Sequence, residues 1–455
     1  MFDKTIAAIS TAQGQGGIGI IRISGDNAIE IADKVFVSAN NKTLSSMEGY
    51  RAAYGKAISN GELLDEVVAV LYRNPRSYTG EDVVELCCHG GLYVTRSVLR
   101  AVLDSGATLA EPGEFTKRAF LNGKMDLSEA QAVMDIISAK SKQAARTAVS
   151  VRTGTLSRKI DEIKSMLVSV VGHLCVWADY PEEDIPEVTS NAIEETLTQA
   201  KIDIEKLLNS YEKGQAVLHG IDTVIAGRPN VGKSTLMNLL SGFDKSIVTE
   251  IAGTTRDVVE ETVIIGNITL NLCDTAGIRE TDNIVEKIGV DRTFERLSSC
   301  SLVLAVFDSS EELSSEDIKL IDSLKDVPAI AIINKSDLQR KINADYIKEN
   351  IANVIELSAK SGDGKDALEN AVAEVTGTKD FDPCSAILST ERQRSAASEA
   401  LTAVCEAMAT LSAGYSFDAV TVCIEDAIDK LLQLTGENVA EKVVDDIFHS
   451  FCVGK

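Results

Sequence analysis

The spacing of hydrophobic positions changes along this chain of 455 residues, and each spacing predicts a different kind of element. At the start, short apolar runs are bounded by glycine-rich turns, which is typical of a mixed α and β domain. The predicted strands there cover 16–25, 67–72 and 82–87. From Thr116 to Ser210, apolar residues recur every three or four positions, which predicts helices. An acidic stretch at 179–187 interrupts them.

A second pattern rich in β-forming residues begins after the helical segment. Runs of these residues alternate with loops and helical spacing, which predicts an α/β domain. They cover 221–226, 268–273, 301–307 and 329–333. Helical spacing returns from Thr390 onwards, and Gly436 divides its last part. We expect these late helices to pack with the early ones, so that the α/β domain is inserted into a discontinuous α-helical domain.

The predicted fold is therefore multidomain, and the changes of pattern give its boundaries. An α+β domain covers residues 1–118, and the first part of the helical domain covers 119–217. The α/β domain covers 218–379, and the second part of the helical domain covers 380–455.

One loop of the α/β domain carries a phosphate-binding motif. Residues 227–234 read GRPNVGKS, which is the spacing G-x-x-x-x-G-K-[ST] between a predicted strand and a predicted helix. The glycines let backbone N–H groups point at phosphate oxygens, and the helix N-terminus adds a partial positive charge. Lys233 would reach the β- and γ-phosphates, and the Ser234 hydroxyl would bind Mg²⁺.

Three further motifs follow later strands of the same domain. Asp274 begins the motif DTAG (274–277) and would hold Mg²⁺ through a water molecule. Asp337 ends the motif NKSD (334–337) and would accept two hydrogen bonds from guanine, whereas adenine offers no donor on that edge. Residues 358–360 would offer a backbone N–H to the guanine O6. Motifs of this kind in this order resemble a Ras-like P-loop GTPase domain, so the sequence predicts a guanine-nucleotide site.

Charge and cysteine content restrict the partners and the compartment. The formal net charge is −24, of which the first 120 residues carry −2 and the remainder −22. A polyanion would meet repulsion over most of the surface, so we expect it to approach the N-terminal third or to bind through a basic partner. The nine cysteines form no C-x-x-C pair, which favours reduced thiols over disulfides or a zinc site.

The start of the sequence has no signal-peptide pattern, and the longest apolar stretch is too short to span a bilayer. We therefore expect a cytoplasmic protein without membrane contact. Gly14–Gly19 is not a dinucleotide fingerprint, because no strand, loop and helix surround it. The acidic stretch lacks the alternating carboxylates and the glycine of a calcium loop. Cys452 lies four residues from the end, but Gly454 and Lys455 do not fit a prenylation box.

Over essentially its whole length, the sequence resembles the MnmE (TrmE) family of tRNA-modification GTPases. The matching motifs are GGIGIIRISG (16–25), SYTGEDVVEL (77–86), HGG (89–91), PGEFTKRAFLNGKMDL (112–127), GRPNVGKST (227–235), IVTEIAGTTRD (247–257), DTAGIRE (274–280), VEKIGV (285–290) and FCVGK (451–455). The family usually ends in FCIGK, and Val453 stands here in place of Ile.

The resemblance implies an N-terminal folate-binding and dimerisation domain. It also implies a homodimer that joins the flavin-dependent protein MnmG in a heterotetramer. Such enzymes add an aminomethyl or carboxymethylaminomethyl group to C5 of the wobble uridine of tRNA, using a one-carbon unit from a 5-formyl or methylene tetrahydrofolate. Motif matching assigns the folate contacts to Arg22, Glu85, Lys124 and Lys455. Cys452 would be a catalytic thiol, although a buried thiol fits the sequence equally well, and surface ion pairs remain an alternative for Arg22 and Glu85.

The resemblance also fills a gap in the nucleotide site. Ile278 follows DTAG, and an aliphatic side chain cannot orient the attacking water as the Gln of other Ras-like enzymes does. The family implies that Glu286 positions this water and that Thr255 joins Ser234 at the Mg²⁺. It further implies a K⁺ ion in place of an arginine finger, in a loop that dimerisation of the nucleotide domains completes. The K⁺ ligands would be Asn230, Thr249, Ile251 and Thr254.

Motifs and resemblance together predict a set of GTP-binding residues in five segments. They are Asn230, Val231, Gly232, Lys233, Ser234, Thr235, Thr249, Glu250, Ile251, Ala252, Gly253, Thr254, Thr255, Asp274, Thr275, Ala276, Gly277, Asn334, Lys335, Asp337, Ser358, Ala359 and Lys360. Two other functional classes stay open at this point. One is a GTP-dependent switch in ribosome assembly, from which tight folate binding would distinguish an enzyme. The other is a dimerising scaffold with a decayed GTPase, which the intact motifs disfavour.

Overall fold

The computed structural model describes residues 4–179, 189–242, 259–273 and 300–455. Contacts within the chain divide it into two compact units, residues 1–134 with 432–455 and residues 135–431. The predicted acidic loop at 179–187 falls almost entirely outside the described residues. In the described part of the chain, no helix combines the length and the apolarity that crossing a membrane requires.

The described strands are numbered in chain order. They are β1 Ile6–Ile9, β2 Ile18–Ser24, β3 Phe36–Ser38, β4 Arg51–Ser59, β5 Glu62–Tyr72, β6 Val83–His89, β7 Thr108–Leu109, β8 Ile221–Ala226, β9 Val259–Ile265, β10 Ile268–Cys273, β11 Leu302–Asp308, β12 Ala329–Asn334 and β13 Asn353–Glu356.

The described helices are numbered in the same way. They are α1 Ala28–Val35, α2 Leu92–Asp104, α3 Glu114–Leu121, α4 Leu127–Ser138, α5 Lys142–Arg152, α6 Thr155–Asp179, α7 Ser190–Leu218, α8 Lys233–Ser241, α9 Ser315–Ser323, α10 Ala344–Asn350, α11 Lys365–Val375, α12 Glu391–Ser412, α13 Phe417–Thr435 and α14 Glu441–His449. A short 3₁₀ helix covers Leu44–Ser46.

The first unit is built on a seven-stranded sheet with the order β3-β4-β5-β6-β2-β1-β7, in which β7 pairs in parallel with β1. Successive side chains of β2 point to opposite faces, so Ile21 and Ile23 are buried on one face and Arg22 lies on the other. The face of Ile21 and Ile23 packs against α1 and α2. On the opposite face, Phe115 of α3 packs on the end of the sheet formed by β1.

The second unit contains a six-stranded sheet with the order β13-β12-β11-β8-β10-β9, in which β9 is antiparallel to β10 and the other neighbours are parallel. Residues of β12 alternate between two cores, Ile330 and Ile332 in one and Ala331 and Ile333 in the other. The strand is apolar throughout because both faces of the sheet are covered. Parallel strands end at the same edge, so the loops after β8, β11, β12 and β13 meet there.

Helices from both sides of the α/β segment pack together within the second unit. The helix α7 packs against α5, α6 and α12. The side chain of Gln215 in α7 donates a hydrogen bond to the Ser389 carbonyl just before α12, and the Leu388 backbone N–H donates to the Ser210 hydroxyl at 3.2 Å. Chain before and after the α/β segment therefore forms one helical layer, which confirms the predicted insertion.

The structure extends the predicted elements and adds others. The prediction at 67–72 captures only the second half of β5, and β1, β4, α1 and α2 were not predicted. The helical pattern from Thr116 divides into separate helices, because Gly123 and Gly154 take left-handed φ values of 68° and 79° just after α3 and α5. Gly436, with φ of 96°, ends α13 as predicted. The bounds of the four predicted segments stay a prediction.

Candidate functional site

The loop between β8 and α8 has the backbone conformation that phosphate binding requires. Gly227 and Gly232 have φ values of 150° and 99°, which favour glycine. A Cβ atom at Gly232 would also lie 2.2 Å from Nδ2 of Asn334. Because α8 begins at Lys233, its first N–H groups and its partial positive charge face the loop. Lys233 Nζ donates to the carbonyl oxygens of Gly227 and Arg228, so the ammonium lies over the loop.

Asn334 ties three parts of the site together at the carboxyl edge of the sheet. Its side chain is 2% exposed, and its Nδ2 donates to the Val231 carbonyl at 2.8 Å. Its Oδ1 accepts from the Ala359 N–H at 2.9 Å. One amide therefore fixes the phosphate loop relative to the loop after β13, and both of its polar ends are satisfied.

Asp337 is exposed on the next turn and is prepared to accept hydrogen bonds. Its Oδ1 accepts from the Ser358 hydroxyl at 2.7 Å, and this bond is the main cause that lowers the pKa of Asp337 below its ordinary value. The group is therefore a carboxylate at neutral pH. A carboxylate that only accepts hydrogen bonds matches the two donors of guanine.

Lys335 connects this loop directly to the phosphate loop and also pairs with Asp308, an acidic residue that the sequence motifs did not reveal. Lys335 Nζ donates to the Asn230 carbonyl at 2.8 Å and pairs with Asp308 Oδ2 at 2.5 Å. Burial raises the pKa of Asp308, but hydrogen bonds from Lys335 and Ser310 outweigh it and leave the pKa below its ordinary value. Asn230 and Lys335 have φ values of 64° and 61°, so their contact joins two residues held in the left-handed region.

Arg228 provides a second anchor for the phosphate loop. Its guanidinium lies 2.6 Å from Oε2 of Glu311 and 3.2 Å from Oδ2 of Asp317. Asp317 is buried and also completes the capping box at the start of α9. Asp308, which ends β11, could have been found from its place at the carboxyl edge of a parallel strand. Asp317 gave no such signal, because its role depends on the tertiary contact with Arg228.

A second group of charged residues lies on the partly covered face of the seven-stranded sheet. Arg22 of β2 and Glu85 of β6 are direct partners in the strand register. The Arg22 Nε donates to Glu85 Oε1 at 2.9 Å, and Nη2 lies 2.8 Å from the same oxygen. The Arg22 guanidinium carbon lies 5.3 Å from the ring centre of Tyr78 and 5.6 Å from that of Phe115. The cation is therefore held between a carboxylate and two aromatic rings.

The last residues of the chain bind along this same sheet through backbone contacts. Val453 forms a β-bridge with Pro112. The Gly113 and Phe115 N–H groups donate to the carbonyls of Cys452 and Lys455, and the Ser10 hydroxyl donates to that of Gly454. Gly454 has φ of 93°, and a Cβ there would lie 2.3 Å from the Ile9 carbonyl oxygen. The close approach therefore depends on glycine.

This docking brings the final lysine to the Arg22–Glu85 pair. Burial lowers the pKa of Lys455, and the nearby Arg22 cation lowers it further, while Glu85 and Cys452 act in the opposite direction. Residues from β2, β6 and the end of the chain thus form one electrostatically connected site in the first unit. A site with two cations, a carboxylate and aromatic walls suits a flat, polar ligand with negative charge.

Protein-family models match both parts of the chain. A model described as the GTP-binding protein TrmE N-terminus matches residues 5–124, and one described as the MnmE helical domain matches residues 127–452. A curated tRNA modification GTPase MnmE from Clostridioides difficile (strain 630) is 42% identical over 456 residues, covering 100% of this chain and 99% of that protein. The chain belongs to the MnmE family. A protein of the same name from Acetivibrio thermocellus is 43% identical over 458 residues, with coverage of 100% and 99%.

Membership of the MnmE family confirms the recognised resemblance, the predicted fold class and the prediction of a GTPase. Among solved structures, the G domain of the T. maritima FeoB iron transporter matches 34% of this chain and 98% of that one at 25% identity. Its TM-score of 0.25 is too low to carry an argument. The fold of the nucleotide segment rests instead on the strand order and on the family models.

The structure brings together those predicted GTP-binding residues that lie in its described part. They lie on the carboxyl edge of the six-stranded sheet: 230–235, Asn334, Lys335, Asp337 and 358–360. The predicted residues Thr249–Thr255, Asp274–Gly277, Ile278 and Glu286 lie outside the described residues. Contacts of all these residues with nucleotide, Mg²⁺ and K⁺ stay predictions.

Of the predicted folate residues, the structure groups Arg22, Glu85 and Lys455 with Cys452. Lys124 is exposed, and its Nζ donates to the Pro75 carbonyl at 3.0 Å, on the loop that also carries Tyr78. The sequence did not predict the contacts of the Tyr78 and Phe115 rings with Arg22. Their motifs, SYTGEDVVEL and PGEFTKRAF, had been noted, but residue spacing alone could not reveal that both rings meet Arg22.

Proposed function

We propose that this protein is a GTP-hydrolysing tRNA modification enzyme that acts on C5 of the wobble uridine. It adds an aminomethyl or carboxymethylaminomethyl group together with a flavin-dependent partner of the MnmG type. A 5-formyl or methylene tetrahydrofolate provides the one-carbon unit. The observation that carries this proposal is that the end of the chain docks beside the Arg22–Glu85 pair: the Phe115 N–H donates to the Lys455 carbonyl, and the Phe115 ring lies 5.6 Å from the Arg22 guanidinium carbon.

The residues of this site fit a folate. The Arg22 and Lys455 cations suit the acidic glutamyl tail, and the Glu85 carboxylate suits the donor-rich pterin. The rings of Tyr78 and Phe115, which already flank Arg22, offer flat apolar surfaces. Bound tetrahydrofolate would supply a one-carbon unit at this place. Lys124, on the neighbouring loop, would add a cation at the outer side.

The residues of the phosphate loop fit GTP with Mg²⁺ and K⁺. Lys233 and the first N–H groups of α8 would hold the phosphates, and the hydroxyls of Ser234 and Thr255 would hold Mg²⁺. Asn230, Thr249, Ile251 and Thr254 would hold K⁺, whose charge would stabilise the transferred phosphoryl group. Asn230 is exposed and its backbone is fixed by Lys335, so its side chain is available for this role.

We further propose a homodimer, a heterotetramer with MnmG, and a cytoplasmic location. The face of the seven-stranded sheet opposite α1 and α2 supports the homodimer, because it exposes Ile18, Tyr54 and Val68, which are 66%, 56% and 37% accessible. Exposed apolar residues on one sheet face are typical of an interaction surface. The heterotetramer and the location rest on the family.

GTP hydrolysis is expected to require K⁺. Without the positive charge held by Asn230 and its partners, no group of the expected catalytic set would replace an arginine finger. Replacement of K⁺ by Na⁺ at constant ionic strength should lower the turnover number on the order of 10²-fold. Steady-state phosphate release measured in both salts checks this. Equal turnover in the two salts would show that Asn230 holds no catalytic cation.

Two substitutions should separate GTP hydrolysis from tRNA modification. If Glu286 positions water, Glu286→Ala should slow hydrolysis by about 10²-fold or more and leave nucleotide affinity nearly intact. Cys452→Ser should keep hydrolysis and lose modification, because a hydroxyl is a far weaker nucleophile and acid than a thiol. The measurement is a GTPase assay beside mass spectrometry of wobble uridines from deletion cells that carry each variant.

The wild-type gene in the same cells is the control, and it also tests the proposed function. If deletion leaves the wobble uridines modified, the chain is not this enzyme, and a GTP-dependent switch in ribosome assembly becomes the better assignment. Equilibrium dialysis with tetrahydrofolate separates the two classes directly, since a pure switch has no use for folate. Full modification by Cys452→Ser would make that cysteine a structural thiol.

A further inference from the structure

The longest part of the chain without Asp or Glu carries a concentration of positive charge. Residues 136–160 contain no acidic residue in a protein whose formal net charge is −24. The six basic residues of this segment are Lys140, Lys142, Arg146, Arg152, Arg158 and Lys159. The net charge of −22 carried by residues 121–455 averages this segment with the acidic residues around it. The positive charge therefore lies in the part of the chain where a polyanion was expected to be repelled.

The helix α5 presents much of this charge to solvent. Lys142 and Arg146 are exposed, and about 6 Å of helix rise separates them on one face. Ala144, Ala148 and Val151 are buried on the other face, and α5 packs against α6 and α7. We call the exposed residues Lys142, Arg146 and Arg158 the basic face of α5. Arg158 belongs to it because its Nη1 donates to the Thr153 carbonyl at the end of the helix, at 2.7 Å.

The charges of Lys142 and Arg146 are not explained by the stability of the helix. Lys142 is the first residue of α5, and the first turn contains no acidic residue to complement the helix dipole. Lys142 and Arg146 are like charges at spacing i, i+4, which is unfavourable on a helix. Neither forms an ion pair with any residue that the structure describes. The Ser141 side chain already caps the helix by accepting from the Ala144 N–H.

We propose that the basic face of α5 binds the phosphate backbone of the tRNA substrate. This inference rests on the proposed function, which makes a tRNA the substrate. The acidic remainder of the chain repels RNA, so phosphates are directed to the segment where positive charge is concentrated. Phosphate contacts of this kind orient the RNA without reading its sequence. Exposed Lys and Arg side chains that form no ion pair can exchange their counterions for RNA phosphates without breaking a contact within the protein.

The test is binding of an unmodified tRNA transcript to the full chain over a range of salt concentrations. The double variant Lys142→Glu/Arg146→Glu should bind about tenfold or more weakly, and the slope of log K against log salt should decrease by about 2. The matched control is Arg96→Glu/Arg100→Glu on α2, where both residues are exposed at the same i, i+4 spacing. This control changes the net charge by the same amount as the Lys142/Arg146 variant, and it should bind tRNA like the wild type.

Several results would overturn the proposal. Equal affinity and slope for the wild type and the Lys142/Arg146 variant would remove the basic face from RNA binding, as would wild-type protein that binds no transcript. Equal weakening by the control would show an effect of net charge only. Loss of wobble modification with unchanged transcript binding would assign the face to an acidic protein partner.

Two further measurements distinguish a loss of RNA binding from misfolding and from failure of the proposed function. The neutral variant Lys142→Gln/Arg146→Gln should show an intermediate loss of tRNA affinity with wild-type GTP hydrolysis, which excludes misfolding as the cause. A wild-type result in this variant would contradict the proposal. Wobble-uridine analysis of deletion cells carrying the wild-type gene tests the enzyme function independently, because it does not depend on which surface holds the RNA.

Discussion

Arg118→Leu is expected to lower the free energy of unfolding of the first unit by about 3–5 kcal/mol, because it breaks a buried ion-pair network. The Arg118 side chain is 1% exposed and lies on α3. Its Nη1 donates to both carboxylate oxygens of Glu81 at 3.2 Å, and its Nη2 donates to Glu114 Oε1 at 2.8 Å. Leucine would leave two largely buried carboxylates without their cation.

The same network supports the site around Arg22. Glu81 also accepts from the Ser24 hydroxyl at 2.7 Å, so Arg118 connects α3 to the end of β2. Arg118 and Phe115 lie on one helix, and Tyr78 lies three residues before Glu81. The Tyr78 hydroxyl contacts the Thr116 hydroxyl at 2.9 Å. Loss of Arg118 should therefore also loosen both rings that flank Arg22 and weaken folate binding.

Hydrogen exchange on the full chain measures the effect of Arg118→Leu. Backbone amides of β2 and β6 should exchange about two to four orders of magnitude faster, while GTP affinity stays unchanged. The control is Lys117→Leu at the next position, which removes a partly exposed pair with Asp445 and should cost at most about 1 kcal/mol. Arg118→Lys should fall between them, since one ammonium cannot bridge both carboxylates as a guanidinium does. Similar exchange in the Lys117 and Arg118 variants would show that the network adds no stability.

The nucleotide site could be predicted well because its signals are local. The spacing of Gly227, Gly232 and Lys233 specifies a loop, and a run of apolar residues such as 301–307 specifies a buried strand. Asp308 and Asp317 escaped prediction for the opposite reason. Each is one acidic residue among 69, and its role follows from a partner far away in the chain. Lys335 and Arg228 become visible as their partners only when the sheet brings the loops together.

The N-terminal part was harder to predict. Strand β4, with the sequence RAAYGKAIS, has no clean alternation of apolar and polar residues, although it is paired along its whole length with β5. The two strands form a hairpin across Asn60-Gly61, so the usable signal was the turn and not an alternating pattern in the strand. The resemblance to the MnmE family grouped Arg22, Glu85 and Lys455 without geometry. It could not show that Gly454 approaches the Ile9 carbonyl, or that Lys142 and Arg146 of α5 form no ion pair with a described residue.

Asp337→Asn is expected to weaken GTP binding by about 2–4 kcal/mol, roughly 30- to 1000-fold, and to shift preference towards xanthine nucleotides. The carboxylate accepts from both guanine donors, whereas the asparagine side chain would place an NH₂ group against the guanine N2 amino group. Xanthine carries a carbonyl at that position, so the same NH₂ group would gain an acceptor. The fold should tolerate the change, because Asn Oδ1 can still accept from the Ser358 hydroxyl, now 2.7 Å from Asp337 Oδ1.

Competition of GTP and XTP for the variant measures this shift, and the neighbouring loop after β13 offers a matched control. Asp363 is also exposed, and its Oδ2 accepts from the Ser361 hydroxyl at 2.7 Å, as Asp337 does from Ser358. Asp363→Asn removes the same charge from the adjacent loop, so it should keep wild-type affinity for GTP if base reading belongs to Asp337. A general electrostatic effect on the nucleotide would weaken both variants alike. Unchanged GTP affinity in Asp337→Asn would mean that another group reads the guanine edge. If Asp337 reads it, the lost charge-assisted hydrogen bond and the new clash between two donors must both lower the affinity.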